Sequence, residues 1–357
     1  MAAAVRHYHA AISQERRARR RRAPLVAAFV IAALLANRAA AMQPSLDRIF
    51  LVSTRPLGTR CDPSIMAGAL HCERYVAAAG GLGAWQPITW SEVASEFADP
   101  LPTVVYVHGN RINCGEDKSH GLTFYRSLAA CKQGDSPLRY VIWSWPSEQI
   151  RGPVKDYQVK AARTRQVGWQ LAWAVDQLPE KSPLALVGYS FGARVVTGAL
   201  HLLAGGEMDG LTLPETLHPR RPPMRAALVA AAVDADWLRP RGYHGRALEQ
   251  VDELLLVNNQ RDPAMRFYHL PMDHRARPLG FSGPASIASL GELASRVRSI
   301  DFTGAVGRHH ALSKYLATSK LGRVLEQVVQ APATHLESDG ALSEAAIAGR
   351  EPSGELQ

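Results

Sequence analysis

Short apolar runs alternate with longer amphipathic stretches along most of this chain. Runs at 49–53, 103–107, 139–143, 184–187, 226–233, 253–257 and 297–302 have the length and β-branched content of strands. Several are apolar without interruption, as strands buried on both faces are. Between them the periodicity predicts helices over 122–130, 159–178 and 191–203, with a weaker one over 291–295. Strands alternating with helices predict a three-layer α/β architecture, a mostly parallel central sheet with helices on both faces. Two stretches, 205–223 and 258–284, read as loops. Neither is large enough for a separate lid domain, so the expected site is open or shallowly covered.

One junction between a strand and a helix carries chemistry. Gly188-Tyr189-Ser190-Phe191-Gly192 is a G-x-S-x-G set between the apolar run 183–187 and the helical stretch that follows. A turn this sharp strains the serine backbone, and glycines on either side let strand and helix approach closely. The same turn aims N–H groups at the helix start toward the place where an oxyanion would form. Phe191 N–H is the first expected oxyanion donor. The run 104–107 leads into His108-Gly109-Asn110, a loop placed to supply the second, and Asn110 N–H is the candidate. His108 reads as a packed residue beneath that loop rather than a reacting group.

A serine hydroxyl needs an imidazole within hydrogen-bond reach and a carboxylate to fix the imidazole tautomer. The chain order expected for this arrangement is serine, acid, histidine. Asp234, Asp236 and Asp262 are the acid candidates. Asp262 is favoured, because it follows a strand with a polar exit and precedes Pro263. For the base, His309 and His310 follow the last strand, and His310 is favoured. The His-His pair lacks an accompanying carboxylate or cysteine motif of the kind that binds zinc, so neither a metal nor a cofactor is expected.

Composition changes this picture only at the N-terminus. Of 41 Lys and Arg and 32 Asp and Glu, residues 1–41 hold eight Arg and one Glu, which leaves 33 basic and 31 acidic residues in the body. The net charge of +9 therefore belongs mostly to the leader, and the near-neutral body is not expected to bind nucleic acid. The leader has the order of a secretory signal: an Arg-rich stretch, an apolar run over 23–36, and Ala39-Ala40-Ala41 before Met42. A secreted or periplasmic location is the expectation. An uncleaved membrane anchor and a basic tail ahead of the true start are the alternatives. The body is expected over 42–332 and a disordered polar tail over 333–357. Cys61, Cys72, Cys114 and Cys131 are even in number, and an exported chain would pair them locally, 61 with 72 and 114 with 131. Four unpaired thiols are the alternative.

Taken in order, Tyr106-Val107-His108-Gly109-Asn110, Trp143-Ser144-Trp145-Pro146-Ser147, the Gly188–Gly192 elbow, Asn258-Asn259-Gln260-Arg261-Asp262 and Gly307-Arg308-His309-His310 resemble the α/β-hydrolase superfamily. The likeness is to a poorly characterised bacterial branch of α/β hydrolases of unknown function. It implies the three-layer α/β-hydrolase fold, with Ser190 as nucleophile, Asp262 as acid and His310 as base. The expected activity is hydrolysis of an ester or thioester on a small-molecule or lipid-like acyl substrate. Amide cleavage and acyl transfer would use the same residues. A binding or scaffold protein that kept the fold without turnover, or one tethered to a membrane by its leader, are readings of another class. Trp143 and Trp145 either line an acyl pocket or pack in the core.

Overall fold

The computed structural model describes residues 46–77, 83–132, 136–179, 183–214, 224–268, 277–284, 287–318, 321–322 and 325. The leader and the polar tail lie outside the described residues, as do parts of both expected loops. The described residues within 47–76 and 85–325 belong to one compact unit.

Among the described residues nine strands make one sheet. They are β1 (Arg48–Ser53), β2 (His71–Val76), β3 (Ala84–Ile88), β4 (Thr103–Val107), β5 (Arg139–Ser144), β6 (Leu184–Tyr189), β7 (Met224–Val229), β8 (Val251–Asn258) and β9 (Val297–Asp301). Their order is β3-β2-β1-β5-β4-β6-β7-β8-β9. The seven strands from β1 to β9 in that order run parallel, while β2 pairs antiparallel with β1. The helices are α1 (Pro63–Ala69), α2 (Trp90–Ser95), α3 (Glu116–Ala129), α4 (Pro153–Asp176), α5 (Phe191–Leu203), α6 (Pro263–Arg266), α7 (Leu279–Ser282), α8 (Thr303–Val306) and α9 (Leu312–Leu316).

Side chains alternate across the sheet, so each central strand feeds two cores. Val105, Val107, Val141, Trp143, Leu186 and Leu228 pack on one face with Val167, Trp173, Val195 and Ala199 of α4 and α5. Val104, Tyr106, Tyr140, Ile142, Val187 and Val257 pack on the other with Leu122, Phe124 and Leu128 of α3. Burial on both faces explains why these strands read as unbroken apolar runs. Helices α4 and α5 touch closely where Gly168 lies: a Cβ there would stand 3.3 Å from Val195 O. This packing anchors the helix that begins at Ser190.

The structure corrects several expectations. The strand expected over 226–233 ends at Val229, because Ala230 takes a φ of 48° and its N–H goes to Val257 O at 3.1 Å. The weak helix over 291–295 is a pair of 3₁₀ turns over Ala288–Arg296, broken at Gly291 with φ 63°. The disulfides do not form: all four cysteines are free thiols. Cys61 hydrogen-bonds backbone carbonyls of Thr59 and Gln166, and Cys72 is buried in the core from β2. No helix among the described residues is long and apolar enough to cross a membrane.

Candidate active site

Ser190 sits between β6 and α5 with φ 54° and ψ −118°, a conformation that costs a non-glycine residue strain. The neighbours enforce it. A Cβ on Gly188 would lie 2.6 Å from Ala193 Cα, and one on Gly192 would lie 2.2 Å from Val107 O and 2.7 Å from His108 O. Only glycine lets strand, helix and the loop after β4 meet here. Ser190 N–H is used by Val229 O at 3.0 Å, which ties the turn to β7. Phe191 N–H is the first of α5 and belongs to the turn of a helix that has no intrahelical acceptor.

The three favoured residues meet. His310 Nε2 lies 3.0 Å from Ser190 Oγ, and His310 Nδ1 lies 2.7 Å from Asp262 Oδ2. A carboxylate only accepts, so Nδ1 carries the proton and Nε2 is left to accept from the serine hydroxyl. Asp262 is fully buried, while His310 keeps 25% of its side chain exposed. Asp262 divides its oxygens: Oδ1 caps α6, accepting from Ala264 N–H at 2.9 Å and Met265 N–H at 3.2 Å, and Oδ2 serves His310. Asp234 and Asp236 take other partners. Asp234 is buried beside the Tyr268 hydroxyl, and Asp236 pairs with Arg239 at 3.1 Å. His309 is exposed, and only its carbonyl takes part, accepting from Asn259 Nδ2 at 3.3 Å.

Residues that sequence reasoning passed over hold the histidine in place. Asn259 Nδ2 donates to Gly307 O at 2.8 Å, and Tyr189 Oη donates to His310 O at 2.7 Å. The Tyr189 ring stacks on the imidazole with centroids 5.5 Å apart. Tyr315 Oη donates to Asp262 Oδ2 at 3.4 Å. Burial, reinforced by the Asp262 carboxylate, pushes both tyrosine hydroxyls well above their usual range, so they remain protonated donors. A tyrosine just before the serine was visible in the sequence, but its bond to a carbonyl 121 residues away was not.

The loop after β4 is clamped by the Trp-Pro segment. Trp145 N–H donates to His108 Nε2 at 3.3 Å, and Trp145 Nε1–H donates to His108 O at 2.8 Å. Nδ1 of His108 faces Gly109 O at 2.9 Å. His108 is fully buried, and burial lowers it to about 3, so it stays neutral and structural. Arg111, with φ 59°, donates its N–H to Ser147 O at 2.8 Å. Trp143 and Trp145 are both buried in the core, so the acyl-pocket alternative falls. Next to the loop, Asp156 receives Arg111 Nε at 2.8 Å, Lys160 Nζ at 2.9 Å and Ile150 N–H at 3.0 Å. Burial alone would raise this carboxyl, but those donors outweigh it and hold it at about 2.

No family profile matches the chain, and no curated protein matches it. Solved structures do. Esterase B from Lactobacillus rhamnosis, in an inhibited form, aligns over 91% of this chain and 97% of its own at 13% identity and TM-score 0.33. Esterase 2 of Thermogutta terrifontis, phosphoramylated by tabun, aligns over 73% and 91% at 14% identity and TM-score 0.33. An acetyl xylan esterase aligns over 64% and 97% at 15% identity and TM-score 0.30. The sheet order, the helices on both faces and the strand–turn–helix elbow define an α/β-hydrolase fold.

Proposed function

We propose that this protein is a serine hydrolase that cleaves an ester or thioester through an acyl-enzyme. One observation carries the reading: a continuous hydrogen-bonded chain from Asp262 through His310 to Ser190, 2.7 and 3.0 Å long, built on a strained elbow. His310 takes the proton from Ser190 Oγ as it attacks the acyl carbon. Asp262 fixes the imidazole tautomer and stabilises the imidazolium that forms. Phe191 N–H and Asn110 N–H hold the developing oxyanion. His310 returns the proton to the leaving alcohol or thiol, then activates the water that releases the acyl group. The exposed edge of His310 gives that water access.

The test is a panel of p-nitrophenyl esters and acyl thioesters of increasing chain length, followed before steady state. The expected result is a burst of leaving group equal to the enzyme concentration, absent from Ser190→Ala. A folded wild type that neither bursts nor turns over any member of the panel overturns the proposal.

A further inference from the structure

Behind the elbow helix, a cavity of about 420 Å³ opens between α4, α5 and the turns around Asp209 and Trp237. Its volume falls in the range of small-molecule sites, roughly 300–1,000 Å³. Arg194 forms part of its wall, one helical turn beyond Ser190, and is 6% exposed. Its guanidinium donates to Tyr268 Oη, and to Thr164 Oγ1 at 3.3 Å, both uncharged oxygens. The Asp234 carboxylate stands behind it, linked through the Tyr268 hydroxyl. A guanidinium buried against neutral acceptors holds a charge that an incoming anion would neutralise. It also lies 4.4 Å from the centroid of the Trp237 ring.

A second cation borders the same cavity. Arg165 keeps 32% of its side chain exposed and pairs with Asp209, which also accepts from Tyr243 Oη at 2.8 Å. Two arginines against one aspartate leave the lining net positive. Ala161, Ala162 and the Trp237 and Tyr243 rings supply apolar wall. A head group with negative charge and a flat apolar body satisfies both halves of this lining. None of the residues lining the cavity is Ser190, Asp262 or His310, and the Phe191 side chain, 1% exposed, lies 5.6 Å from the Tyr157 ring and 5.9 Å from Arg194.

We propose that this cavity binds a small aromatic anion, a carboxylate or a phosphate monoester, anchored by Arg194 and Arg165 and packed against the ring edges that Trp237 and Tyr243 contribute to its wall. The proposal goes beyond the hydrolase reading and stands or falls without it, because its test reads binding and not turnover. Titration calorimetry of the full chain would use benzoate and phenyl phosphate, with benzamide as the neutral counterpart. The expected result is one benzoate or phenyl phosphate per chain and no benzamide, and the tighter anion identifies the head group. Arg194→Gln and Arg165→Gln should each weaken binding by about tenfold or more, the value of a charge-assisted hydrogen bond. Asp209→Asn should tighten it roughly threefold by releasing Arg165, and Asn tolerates the φ of 49° found there. That gain is something a merely structural aspartate would not give. If Arg194→Gln fails to fold, the two variants at the partly exposed positions decide the question. No binding of either anion, equal binding of benzamide, or affinity unchanged by Arg165→Gln and Asp209→Asn overturns the proposal.

Discussion

Replacing Asp262 by Asn tests the division of labour within one side chain. In the wild type, Oδ1 caps α6 with two N–H donors at 2.9 and 3.2 Å, while Oδ2 receives His310 Nδ1–H at 2.7 Å. An asparagine has one acceptor oxygen and one donor NH₂. The two cap N–H groups need the oxygen, so the NH₂ turns toward His310. Nδ1 must then accept, which moves the ring proton to Nε2 and aims it at Ser190 Oγ. A protonated Nε2 cannot take the serine proton. The loss should therefore fall on kcat, by about 10⁴-fold, or about 5.5 kcal/mol at about 1.4 kcal/mol per tenfold. KM should hardly change, since no substrate contact is removed. The retained cap should keep the stability loss near 1 kcal/mol. Hydrolysis of a p-nitrophenyl ester that the wild type accepts, together with a denaturant melt, reads both quantities. A folded Asp262→Asn enzyme within tenfold of wild-type kcat would refute the tautomer argument.

Two further outcomes follow from the same geometry. Gly192→Ala drives a Cβ to 2.2 Å from Val107 O, so strand end and loop must part; stability should fall by about 1–3 kcal/mol and kcat by about 10²-fold as the Asn110 donor moves, whereas a neutral Gly192→Ala in both assays would refute the close approach. Stability should rise with pH from about 3 to 6.5, because the unfolded chain protonates a histidine that folding keeps neutral at His108. Asp156 acts in the same direction lower down: its stabilisation is complete above the unfolded value of 3.8 and is lost as pH falls toward about 2. Denaturant midpoints that stay flat across the upper window would contradict the burial of a neutral His108.

The central strands and the elbow were legible because burial on both faces writes an unbroken apolar run, and glycines mark a close approach. Chain order then led to Asp262 and His310. What escaped has physical causes. Strand β2, next to the edge, carries His71, Glu73 and Arg74, and the edge strand β3 contains Pro87, so neither shows the apolar signature. Helix α4 begins at Pro153, six residues before its expected start, because its first turns bury Asp156 and Lys160, which pair with each other at 2.9 Å. The apolar run 226–233 hid a turn at Ala230 that only the contact with β8 reveals. Asn259, Ser147 and the Tyr189 hydroxyl act through backbone carbonyls brought near by the fold, and no local pattern encodes such a bond.

The most direct test of the central claim is covalent labelling with a fluorophosphonate probe, read by intact mass and located by peptide mapping. Wild type, Ser190→Ala, His310→Ala and His309→Ala would be compared after a check that each is folded. The account predicts one probe per wild-type chain on Ser190, none on Ser190→Ala, a large loss in His310→Ala and little change in His309→Ala. A folded wild type that takes no probe, or a label that persists in Ser190→Ala, would contradict it.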